Sequence, residues 1–540
     1  MLPGCSAPPS GSCWFPGEAG HLRRFYGFNL MKANQKKAGQ QAAAKPGRTA
    51  KPRKDLMAGM RLALAQHGGE IWAIALIAVA GLASYLGLFS QAVLALLVSL
   101  GSAWTFFVRI DRGLPLAQVA GLLACLQWLV GPVWYFEGKF DNTDMGMAVT
   151  SAEYFHVAVP ATAAFVLGLF CFRNRVNQRE VLQSVSRSQF LWIGLWLNMA
   201  ALAGDLGGRK GPESLAFAFI LVSQLRYIGV LYLWFSPHAS GKWLAGLAVL
   251  PLFFTTAETA MFHDMLLWSG LMFSYWFASR PRLVAHKLAV IAATVFAAFL
   301  IQGIKESYRA KVWNSQQGSL TAEIQAFWTR LNGIERSSML ENAMVRLNQG
   351  WIVSHVIRHV PAAEPFAGGD TVSDALVAAA LPRFLLKDKA MAGGRSNFFR
   401  FTGMQLNEAT SMNLSLLGEG YANFGATGGM IFLFFTGFTI SALIALCLGF
   451  ARTHPLFIFW MPLIFYQAIK AETDLNEILN HMVKGGMAAF ACYWVLDYFY
   501  PTSIASQEDS PDASKSRTQR GLRKARTRAY FKQPSLPKGE

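Results

Sequence analysis

Charge is scarce in this chain. Asp, Glu, Lys and Arg make up 15% of its 540 residues, against about 25% in a soluble globular protein. Hydrophobic residues make up 53%, so disorder is excluded for the bulk of the chain. Cysteine is scarce as well: six are scattered along the chain, which excludes a small disulfide-stapled scaffold. No internal repeat is visible, which weighs against a transporter built from two related six-helix halves. No Asp-rich cluster is visible either, so metal independence is expected. Apolar sequence is plentiful, in recurring runs of about 20 residues, the length that crosses a bilayer. The expected fold is all-α: a polytopic transmembrane helix bundle of about 12 spans with a large helical periplasmic loop.

The charge that exists sits in the tails. Net charge is +18. Residues 1–70 hold eleven Lys/Arg against Glu18, Asp55 and Glu70, and residues 501–540 hold nine against four acids. The two tails therefore carry +13 of the +18. A basic balance of this kind suits nucleic acid, but the positive-inside rule explains tail-confined charge better. No nucleic-acid partner is expected. Leu2-Pro3-Gly4-Cys5 mimics the end of a lipoprotein signal, but no basic and apolar regions precede it. Met31 and Met57 offer alternative starts, with residues 1–30 a candidate over-called start. Residues 31–60, rich in Ala, Gln, Lys and Pro, read as disordered.

Apolar runs fall near 71–89, 92–108, 115–136, 155–173, 189–204, 214–235, 243–261, 263–279, 284–302, 426–450, 455–471 and 482–500. With the N-terminus inside, the even connections carry Arg109/Arg112, Arg173 to Arg187, Lys242, Arg280/Arg282/Lys287 and Arg452. The odd connections carry Glu137/Asp141/Asp144, Asp205/Glu213, Glu258/Asp264 and Glu472/Asp474/Glu477. That alternation places both termini in the cytoplasm. The expected organisation is a basic disordered tail (1–65), nine spans (66–302), a periplasmic helical loop (303–425), three spans (426–500) and a second basic disordered tail (501–540).

The loop 303–425 differs from the other connections. It holds twelve Lys/Arg and ten Asp/Glu and no cysteine, so packing rather than disulfides must hold it. Ile324, Trp328, Leu331, Met344, Leu347, Trp351 and Ile352 recur at helical steps, predicting an amphipathic helix over 321–359 that lies on the outer surface or docks on the bundle. Pro361, Pro365 and Gly368-Gly369 end it, and a second short helix is expected around 371–380.

The densest cluster of chemistry follows: Arg383, Arg395, Arg400, Asn407, Glu408, Asn413, Glu419, Tyr421 and Asn423, with lysines 387 and 389. Arginine forks bind phosphate oxygens. Glycines permit close backbone approach, and a helix N-terminus favours anions. A lipid-linked pyrophosphate needs this combination. The plainer reading is a charged loop with arginines at lipid heads.

The run Leu416-Leu417-Gly418-Glu419-Gly420-Tyr421-Ala422-Asn423-Phe424-Gly425-Ala426-Thr427-Gly428-Gly429 resembles the element that closes the large periplasmic loop in Wzy-type O-antigen and oligosaccharide repeat-unit polymerases, membrane-embedded glycosyltransferases. The resemblance covers about 300–500 and the overall topology, and Arg383, Arg395 and Arg400 ahead of the run strengthen it. It implies polymerisation of undecaprenyl-pyrophosphate-linked repeat units at the periplasmic face of the bacterial inner membrane. Donor and acceptor are both lipid-linked oligosaccharides, and membrane lipids and a chain-length regulator protein are further partners.

On that resemblance Arg395 and Arg400, with Arg383 in reserve, bind the pyrophosphate, and Glu419 or Glu408 is the base that activates the acceptor hydroxyl. Glu419 serves equally well as a helix-end carboxylate satisfying a dipole. Tyr421 and Asn423 shape the pocket or simply pack. Arg226 lies mid-span, where a charge is costly; it contacts lipid phosphate or pairs with Asp205. Glu258, His263 and Asp264 line the acceptor site or are polar boundary residues. His355 and His359 have a metal-ligand spacing but no third ligand, so a metal is not expected. An O-antigen ligase, sharing the donor, and a lipid-linked-sugar transporter or flippase remain alternatives.

Overall fold

The computed structural model describes residues 53–138, 145–172, 180–181, 185–212, 215–259, 262–279, 282–313, 325, 328, 347–381, 394–406 and 411–501. The chain divides into two units, Met1–Gln66 and His67–Glu540. In the first, the described residues form the start of helix α1 (Arg53–Tyr85). That start lies inside the stretch expected to be a disordered tail as far as residue 65. Residues 54–65 are mostly Leu, Met, Ala, Lys and Arg, strong helix formers, which accounts for a helix that begins this early. The rest of both tails lies outside the described residues.

The second unit is helical, with no strand among the described residues. α2 (Gln91–Arg109) and α3 (Leu116–Cys125) lead through a π-helical turn (Leu126–Val130) into α4 (Gly131–Phe136). α5 (Ser151–Leu169) opens on a capping box, with Thr150 Oγ1 accepting from Glu153 N at 3.3 Å and Glu153 accepting from Thr150 N at 2.9 Å. α6 (Phe190–Lys210), α7 (Ala216–Phe235), α8 (Ala239–Thr259), α9 (Phe262–Ala278) and α10 (Val284–Trp313) follow. Between α10 and the next long helix stand α11 (Gly350–His359), α12 (Asp370–Ala380) and α13 (Arg395–Thr402). α14 (Ser415–Phe450), a 3-10 turn (Pro455–Trp460), α15 (Met461–Phe465) and α16 (Leu475–Phe499) complete the chain.

Eight helical stretches among the described residues are long and apolar enough to cross a membrane: α1 from Gly68, α2, α3 through α4, α5, α6, α7, α10 and α14. They mark a multi-pass α-helical membrane protein. The other four of the twelve expected runs are helical but shorter, broken or more polar. α9 has 17 residues, and the apolar part of α8 stops at Phe254. α16 carries Glu477, Lys484 and Asp497. The run 455–471 is broken into the 3-10 turn and α15, and every residue from Pro455 to Phe465 is buried. Of the helix expected over 321–359, the described part is α11; most of 321–346 lies outside the described residues.

Three glycines set the frame around the site. α5 and α14 touch backbone to backbone: a Cβ at Gly437 would run into the Phe165 carbonyl oxygen, and one at Gly168 into that of Phe434. Within α14, Gly425 adopts φ 68° and ψ −168° and bends the helix, a conformation open chiefly to glycine. The 25 residues after the bend extend about 38 Å, more than the roughly 30 Å of bilayer hydrocarbon. The rings of Tyr227, Trp268 and Tyr466 stack at 4.1 and 4.7 Å between centroids.

Candidate functional site

Ser415 to Phe424 form the segment of α14 before the bend, and this segment is tied to two other helices. Glu419 is 3% exposed. Its Oε1 accepts from the Thr371 hydroxyl of α12 at 2.8 Å, and its Oε2 accepts from the Leu475 backbone N–H, the first of α16, at 2.7 Å. Leu475 N–H is one of the orphan donors that every helix N-terminus presents. The carboxylate thus serves a dipole, but that of α16 rather than its own helix. Asn423 completes the clasp: its Nδ2 donates to Thr371 Oγ1 and to the Glu419 carbonyl, both at 2.8 Å, and its Oδ1 accepts from Gly369 N at 3.1 Å. Ala367 and Gly368 donate backbone bonds to the carbonyls of Ala422 and Asn423, each at 3.0 Å.

Two more acids gather at the head of α16. Asp474 caps it, accepting from Glu477 N at 2.9 Å, and Glu477 Oε2 accepts from Asn413 Nδ2 at 2.7 Å. Burial holds both carboxyls above their ordinary range, and the Asp474 charge raises Glu477 further.

The same connection reaches His263 and Asp264. Tyr466 OH donates to Asp264 Oδ1 at 2.6 Å, and Lys470 Nζ lies 3.3 Å from that oxygen and 4.3 Å from the Tyr466 ring centroid. His263 Nδ1 stands 3.8 Å from Asp264 and 3.6 Å from Glu472. The stretch 466–477, the connection into α16 together with its first turn, therefore links two sets of expected site residues. Its own Tyr466, Lys470, Asp474 and Glu477 were not singled out as site candidates. The acids of this stretch were legible only as an acidic connection, because their partners lie far away in the chain.

The arginines sit apart from the clasp's hydrogen bonds. Arg400 Nε pairs with Glu364 at 2.5 Å, and Arg395 Nη2 donates to the Leu406 carbonyl at 3.0 Å. Five residues apart on α13, they point about 140° away from each other around the helix axis. Phe398 and Phe401 anchor α13 in a small core with Trp351, Val356, Leu414 and Ala422. Tyr421 packs against that core, its ring 6.0 Å from Phe366.

Arg226 is buried and paired with Asp205, and its Nε also reaches the Ser223 carbonyl at 3.3 Å. Glu258 lies on α8, and its side chain lies outside what the structure describes. Arg383 and Glu408 lie outside the described residues. His355 shares a 3.0 Å hydrogen bond with Arg358. No family model matches the chain, and no curated protein or solved structure matches it.

Proposed function

We infer that the chain is a membrane-embedded glycosyltransferase of the repeat-unit polymerase type. In this reading it joins oligosaccharide units carried on undecaprenyl pyrophosphate, at the periplasmic face of a bacterial inner membrane, with no cofactor. The observation that carries it is the run Leu416–Gly429, which heads a helix long enough to span the membrane and is clasped there to α12 and α16. Twelve spans, a periplasmic 303–425 and two cytoplasmic termini belong to the same proposal.

The chemistry balances simply. The acceptor hydroxyl oxygen attacks the anomeric carbon of the donor and a C–O bond forms. The bond from that carbon to the pyrophosphate oxygen breaks, and the lipid pyrophosphate leaves with the electron pair. Arg395 and Arg400, with Arg383 in reserve, stabilise that developing charge. A carboxylate takes the hydroxyl proton. Both oxygens of Glu419 are already engaged, which favours it as a positioning group and Glu408 as the base. The pairing of Arg226 with Asp205 favours a structural role for that arginine.

Glycan size on a gel, from cells lacking the protein, tests this reading. Single repeat units without longer chains are expected, and Arg395→Ala and Arg400→Ala should reproduce that pattern while the protein still inserts. Full-length polymer stranded on its lipid carrier would mean a ligase. Units trapped on the cytoplasmic side would mean a flippase.

A further inference from the structure

A cavity of about 520 Å³ lies along the part of α14 that follows the Gly425 bend. One wall is α14 from Phe424 through Phe435 to Ile440. Val372 and Leu376 of α12 and Leu475, Ile478, Leu479 and Met482 of α16 line the rest. The lining side chains are apolar except Thr436 and Thr439. Their hydroxyls are engaged one turn back, by the Phe432 carbonyl at 2.9 Å and the Phe435 carbonyl at 2.8 Å.

From Gly428 to Ile440, α14 rises about 18 Å at roughly 1.5 Å per residue, so the groove has the length and the room for an extended hydrocarbon chain laid along the helix.

Position points the same way. Ile431 and Phe435 are 50% and 58% exposed, so the groove opens sideways from a membrane-spanning helix, where the surrounding medium is lipid tails. At Phe424 and Leu475 it abuts the clasp of Thr371, Glu419 and Asn423, where apolar lining gives way to polar groups. A tail along α14 with a head beyond the clasp matches that profile.

We propose that this groove seats the isoprenoid tail of the lipid-linked substrate. The identity of the lipid rests on the polymerase reading; the room for a hydrocarbon chain does not. The full-length protein, purified into phosphatidylethanolamine–phosphatidylglycerol vesicles, is irradiated with a diazirine-bearing polyprenyl phosphate, and the adducts are mapped by peptide mass spectrometry. Adducts should concentrate on 424–440 and 475–482, fall about tenfold in Thr436→Trp, and persist when phosphatidylglycerol is raised to molar excess. Should Thr436→Trp not fold, Leu479→Trp narrows the groove from α16 and should give the same loss.

Adducts spread evenly over lipid-facing helices such as α10, or unchanged in the variants, overturn the site. Competition by phosphatidylglycerol overturns the isoprenoid assignment. Labelling needs no turnover, so the two readings fail separately. Groove labelling in a protein whose loss leaves glycan length normal refutes the polymerase alone. A protein needed for long chains but unlabelled in the groove refutes the groove alone.

Discussion

The Glu419 carboxylate accepts one hydrogen bond on each oxygen, and the donors belong to two other helices. Glu419→Ala would strand the Thr371 hydroxyl and the Leu475 N–H in a buried site, at about 1–3 kcal/mol for each donor. Glu419→Gln keeps one acceptor but turns an amide N–H₂ toward the other donor, so its loss should be intermediate. Tryptophan-fluorescence melts of the purified protein check this order, and an alanine variant melting with wild type would sink the clasp. A catalytic base predicts something different: Glu419→Gln would abolish long glycans with its melting point unchanged. The Gly-Glu-Gly context suits a pocket wall as well as a helix-end carboxylate, and the sequence leaves the choice open. The deciding partners, Thr371 and Leu475, are 48 and 56 residues away, beyond the reach of any local pattern.

Among the elements, α5 and α14 meet at two glycines, so this contact tolerates no added side chain. Gly437→Leu must push the helices apart. Overpacking typically costs about 1–3 kcal/mol, and here the neighbour is backbone, which cannot rotate away. Gly449, on the same helix with open space around it, supplies the control: Gly449→Leu should change stability by about 0.5 kcal/mol or less. Equal melting of the two variants would refute the close contact. Local signals served well where they were complete. The glycine pair at 368–369 separated the preceding helix from α12, expected around 371–380 and running Asp370–Ala380. They carried less at 455–471, where the apolar run is broken into two short pieces, Pro455–Trp460 and Met461–Phe465, whose residues are buried. Hydrophobicity reports removal from water and does not distinguish lipid from protein interior.

For the whole molecule, charge is the sequence's strongest statement about orientation. The tails carry most of the net +18 while the acids of 466–477 gather in one connection. Moving such basic tails across a membrane is strongly disfavoured during insertion, so both ends should stay in the cytoplasm and α12 should face the opposite side. In a cysteine-free background, Ser373→Cys, exposed on α12, should react with a membrane-impermeant maleimide in intact cells whose outer barrier is opened. Ser510→Cys in the C-terminal tail should react only after lysis. Parity gives the experiment its force. An even number of crossings separates neither terminus from the other, and an odd number of crossings between α12 and the C-terminus places those two probes on opposite sides. The eight long apolar helices include one, α14, between Ser373 and Ser510, and the twelve-span proposal puts three there. Either count predicts opposite labelling. Labelling of both probes from one side requires an even number of crossings after α12. The short buried segment and the polar α16 could then not both cross or both stay; two probes reactive in intact cells would overturn the cytoplasmic C-terminus, and two reactive only after lysis would overturn the proposed periplasmic face of the clasp.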